Sequence, residues 1–73
     1  MINSTFNILP NPVLNEFRID GMENGSTLKI YDIHGELMLE KIFCGKPIDI
    51  SVLKAGLYML RCEGLPAVKL MKL

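Results

Sequence analysis

Seventy-three residues make one small domain at most, and a hydrophobic share of 49% supplies it with a core. The net charge is zero and no dense Lys/Arg patch interleaves with aromatics, which argues against nucleic-acid binding; no apolar run approaches the ~20 residues of a membrane-spanning helix. The opening MINSTFNILP has neither a basic segment nor a long apolar one, so it does not read as a secretory signal; the chain is either cytosolic or an excised fragment with Met1 as a cloning start.

In chain order, the dominant period is two, broken by turn residues every few positions, which is the pattern of many short strands. Phe6 and Ile8 alternate with Asn7. Pro10 and Pro12 lack an N–H and bias Leu9 and Asn11 toward extended backbone. NEFRID places Phe17 and Ile19 on one face, Arg18 and Asp20 on the other. After the loop GMENG, STLKIYDI sets Leu28 and Ile30 against Lys29 and Tyr31. His34-Gly35 is a tight turn, with Gly35 free to take a positive φ, and ELMLEKIF returns as the hairpin partner. Residues 36–43 are also good helix formers, but the turn and the matching strand before it favour the hairpin. PIDI is a short strand. ISVLKAG is a corner, with Leu53 pointing in and Gly56 ending it. GLYMLRCE puts Tyr58, Leu60 and Cys62 on one face, and AVKLMK closes with Val68 and Leu70 opposite Lys69 and Met71. About seven short strands and no segment of period 3.6 predict an all-β fold, an Ig-like antiparallel β-sandwich with Greek-key connections.

The charge is uneven along the chain. Residues 1–40 carry two cations against six carboxylates, and residues 41–73 carry six against two. Pairing of strands from both halves is expected to mix these charges on one solvated face. Cys44 and Cys62 match no zinc spacing; two buried free thiols are favoured, with a disulfide the alternative.

Little here points to catalysis. His34, the only histidine, sits beside a turn glycine and reads as a surface residue, although Asp32 precedes it by two. Asp20, Glu23 and Asn24 flank a glycine loop without the oxygen density of a calcium site. No metal, cofactor or catalytic residue is assigned. Leu53, Gly56 and Tyr58 fit a tyrosine corner, in which the phenol hydroxyl bonds backbone a few residues upstream.

Four segments in order carry a resemblance. ILPNPVLNEFRID (8–20), LKIYDIHGELML (28–39), IDISVLKAGLYMLRC (48–62) and AVKLMKL (67–73) together resemble the C-terminal sorting domain of type IX secretion (Por secretion system) cargo of Bacteroidota, type A. Glu36 stands where that family usually has Arg or Lys. The resemblance implies that 1–73 is a single C-terminal sorting domain, with 1–7 a linker or strand start. It implies an N-terminal cargo domain in the full protein, transit through the periplasm, and reading by an outer-membrane translocon. Removal by a sortase-like surface peptidase then follows, often with joining of the cargo to a lipopolysaccharide anchor at the cell surface. The residues it singles out for recognition or shape are Pro10, Asn11, Pro12, Asp32, Gly35, Leu53, Gly56, Tyr58, Lys69 and Lys72. The 53–58 corner and the 67–73 strand are the expected recognition elements, with Lys69 and Lys72 supplying charge. Two rival readings are an accessory Ig-like or fibronectin-like spacer or adhesion module, and self-association through AVKLMK as an open sheet edge.

Overall fold

The computed structural model describes residues 7–9, for their backbone alone, and 12–73; the expectations for Phe6, Pro10 and Asn11 lie outside these residues. The described residues form strands β1 (Asn7–Leu9), β2 (Glu16–Asp20), β3 (Thr27–Tyr31), β4 (Leu37–Ile42), β5 (Ile48–Asp49), β6 (Gly56–Cys62) and β7 (Val68–Lys72), and no helix. Two antiparallel sheets result, ordered β1-β2-β5 and β4-β3-β6-β7. The all-β sandwich expected from the period-two pattern is the fold observed.

Strict alternation builds the interior. Phe17 and Ile19 of β2 are buried while Glu16, Arg18 and Asp20 are exposed. Across from them lie Leu28 and Ile30 of β3, Tyr58, Leu60 and Cys62 of β6, and Leu70 of β7, all buried in one cluster. Loop residues Met22, Phe43 and Leu53 close its ends. Each fully buried side chain of this class contributes roughly 1.5–3 kcal/mol of transfer free energy. That density of buried aliphatics in so short a chain is what offsets the ordering of its backbone.

Register ties the strands into one four-stranded layer. Leu28 stands opposite both Lys41 of β4 and Cys62 of β6, and Tyr58 opposite Leu70. The β3–β4 ladder shifts at Ile30/Tyr31, leaving Met38 without a cross-strand partner, a β-bulge. The hairpin loop differs in detail from the two-residue turn expected at His34-Gly35. Gly35 N–H donates to Asp32 C=O (3.0 Å) and Asp32 N–H to Glu36 C=O (2.9 Å). The turn is thus centred on Ile33 and His34, and Gly35 follows at φ 85°.

One tie was not anticipated. Val13 N–H donates to Met71 C=O and Leu73 N–H donates to Val13 C=O, each at 2.7 Å, making a parallel bridge to Lys72. Val13 is fully buried. The chain therefore touches the outer edge of β7 before it enters β2 in the other sheet. β7 is a sheet edge, as expected, but its Met71–Leu73 end is already paired, and the expectation of an open edge is corrected there.

Candidate recognition surface

The IDISVLKAGLY stretch folds into a corner held by three kinds of bond. The Asp49 carboxylate accepts the Ser51 N–H at 2.8 Å. Leu53 N–H donates to Ile50 C=O at 3.0 Å, and Ile50 N–H to Asn15 C=O at 2.8 Å. Tyr58 then folds back, its hydroxyl donating to the Lys54 C=O at 2.6 Å. Ile50, Leu53 and Tyr58 are buried beneath the corner. Gly56 enters β6 at φ 154°, a conformation L side chains rarely adopt, although nothing lies within 4 Å of where a Cβ would stand. Its backbone conformation, and not crowding, calls for glycine there.

Asp32 organises the hairpin loop 24 residues before Gly56 in the same way. One carboxylate oxygen accepts the N–H of His34 (2.8 Å) and of Glu36 (2.9 Å). Chiefly the Glu36 N–H, and then that of His34, holds the Asp32 carboxyl below the ordinary aspartate range. The Ser51 backbone N–H and hydroxyl do the same for Asp49. Both acids are therefore structural turn locks. Asp49 and Ile50 were not singled out from the sequence, although Asp two residues before Ser, ahead of an apolar pair, is an Asx-turn signal.

The singled-out residues fall into separate groups. Leu53, Gly56 and Tyr58 come together at the corner, and Asp32 and Gly35 share the β3–β4 loop. Pro12 is exposed beside Val13. Lys69 is exposed on the solvent side of β7, but Lys72 is only 7% exposed, and its ammonium donates to Leu73 O at 3.0 Å. Lys72 thus does not present charge beside Lys69. Positions three apart on a strand face opposite ways, so Lys72 shares the inner face with Leu70 and buries its aliphatic stem.

The thiols also divide. Both are free; Cys62 is buried and Cys44 is exposed in the β4–β5 connection, so only one of the two expected buried thiols is buried. Burial pushes the Cys62 thiol up.

Charge segregates by sheet and does not mix on one face. The solvent side of β2 and β5 carries Glu16, Asp20 and Asp49 against Arg18, with Glu16 directly opposite Asp49. The solvent side of the four-stranded sheet carries Lys29, Arg61 and Lys69 against Glu40. Among the described residues no group of His, Cys, Asp and Glu side chains could hold a metal ion, and no helix is long and apolar enough to cross a membrane.

No curated protein matches the chain. A family model described as secretion system C-terminal sorting domain matches residues 7–73. The chain thus belongs to the C-terminal sorting domains of type IX secretion.

Proposed function

We propose that this domain is the address that carries an N-terminal cargo through the periplasm and across the outer membrane by the type IX translocon, and that a sortase-like surface peptidase then removes it. The observation that supports this reading is the family match over 7–73, which includes both the 53–58 corner and β7. The family is a non-catalytic sorting tail whose signal leads to the cell surface or extracellular space. In this reading the corner holds β6 and β7 in a fixed relation. Asp49, Tyr58 and the Val13 bridge supply that rigidity through short bonds to backbone. Lys69, exposed on β7, belongs to the recognised surface, while Leu53, Gly56 and Tyr58 hold its shape.

The test is export of a periplasm-targeted fluorescent reporter fused to residues 1–73 in a bacterium that has the type IX system. Surface or medium fluorescence, with the domain cut from the reporter during passage, supports the reading. A fusion that folds and stays in the periplasm overturns it and leaves an Ig-like spacer module in its place.

A further inference from the structure

We propose that the solvent face of the four-stranded sheet is a docking face for an acidic protein surface with an apolar centre. The inference deepens the sorting reading, on which it rests for where the partner is met, by naming the surface and the chemistry that fits it.

Strand addition is disfavoured at three sheet edges. Val13 already pairs with β7 at Met71–Leu73. β4 carries Lys41 on its inner side, opposite Leu28, and a bulge at Met38, both of which discourage edge pairing. β5 has two residues. At these three edges a further strand gains little, which favours contact with a face.

The two faces differ in kind. On the four-stranded sheet the register aligns Leu37, Tyr31 and Met59 in one row across three strands, with Leu57 and Met71 in the next. Leu37, Leu57, Met59 and Met71 are 45%, 40%, 37% and 42% exposed, a contiguous apolar strip of the sort that marks interaction sites. An open groove of about 660 Å³ lies at the Leu57–Met59 part of the strip, lined in part by Tyr31, Leu57, Met59, Arg61 and Lys69 and, from the β3–β4 loop, by Ile33 and by Asp32, whose carboxylate is already held by the His34 and Glu36 N–H groups. Lys29 stands directly opposite Arg61, a like-charge pair that costs stability in the isolated sheet, and Lys69 stands opposite Met59. Glu40 flanks Lys29, on the side away from Arg61. A partner that brings carboxylates against this cationic border and apolar side chains against the strip relieves the repulsion and covers the apolar surface together.

A second copy fits poorly. The opposite face supplies Glu16, Asp20 and Asp49, but β2 and β5 expose no large apolar side chain to meet the strip. Such a head-to-tail contact also does not close on itself. One apolar loop side chain, Ile33 of the β3–β4 loop, also lines the groove at 71% exposure. The rest of the strip is Leu, Met and Tyr on a strand face bordered by cations, which suits the core of a protein interface better than a membrane surface.

The test uses the reporter fusion with a photo-crosslinking amino acid at Met59, or at Arg18 on the opposite face as the control, in the same type IX-bearing bacterium. Adducts from Met59 are expected on an acidic segment of a partner protein, exceeding those from Arg18. They are expected to fall about tenfold in Arg61→Glu/Lys69→Glu and less in Arg61→Gln/Lys69→Gln, with export falling in parallel. Arg61 and Lys69 are both exposed, and thermal melting of each variant confirms folding. Adducts on a second copy or on lipid, equal yields at both positions, no adducts, or adducts indifferent to both charge variants overturn the docking face. If the fusion is not exported but Met59 still marks an acidic segment, the sorting reading falls and the docking face stands. If the unsubstituted fusion is exported without Met59 adducts, the docking face falls and the sorting reading stands.

Discussion

Tyr58 shows how much one hydroxyl does here. Its ring is buried over the corner and its O–H reaches the Lys54 carbonyl four residues back. Removing the oxygen in Tyr58→Phe keeps the ring and leaves a carbonyl without its partner, so a loss of about 1 kcal/mol is expected in denaturant titration. An unchanged midpoint would show that water replaces the bond at no cost. The two cysteines give a second residue-scale contrast. Cys44 is exposed and Cys62 is buried with its thiol pushed up. Under native conditions alkylation is expected to stop at one modified thiol, Cys44, with Cys62 reacting only on unfolding. Mass spectrometry across a denaturant series reads this directly.

Two turns set the strand register, and both depend on an aspartate. Backbone N–H groups hold the Asp32 and Asp49 carboxyls below the ordinary value of 3.8. A carboxyl whose pKa is lower folded than unfolded lends stability above the unfolded value. That stability is lost as pH falls through the lowered folded value. Thermal melts taken downward from pH ~5 are therefore expected to drop below about pH 4, and to drop less in Asp32→Asn/Asp49→Asn. Equal slopes would assign the acid sensitivity to other carboxylates. In the β3–β4 loop, Gly35 sits at φ 85° with nothing near its missing Cβ. Gly35→Ala is expected to cost about 1–2 kcal/mol through backbone strain alone, measured by chemical denaturation. A neutral result would mean the loop rearranges to another turn type.

At the scale of the whole molecule, the Val13 bridge makes β7 an interior participant as well as the last strand. Leu70 and Lys72 are buried, and Val13 and β6 flank the strand's Met71–Leu73 end and its length respectively. Deleting 67–73 is expected to unfold the sandwich, seen as loss of a cooperative melt, so a secretion defect from that deletion reports folding first. A truncated domain that still melts cooperatively would contradict this. Exposed substitutions at Lys69 separate recognition from stability where deletion does not.

Alternation of polar and apolar side chains was readable position by position, because a strand has period two wherever it pairs. It placed Phe17, Ile19, Leu28, Ile30, Leu60 and Leu70 inside, and the corner residues Leu53, Gly56 and Tyr58 followed from their spacing. The same parity puts Lys72 inward with Leu70 and on the opposite face from Lys69. What the linear order does not contain is which strands become neighbours. Val13 meeting Leu73, Glu16 meeting Asp49 and Lys29 meeting Arg61 are long-range pairings. They decide that the edge of β7 is partly covered and that charge divides by sheet. Side-chain period is a local property of the backbone, whereas edge coverage and face charge arise only when distant strands share a layer.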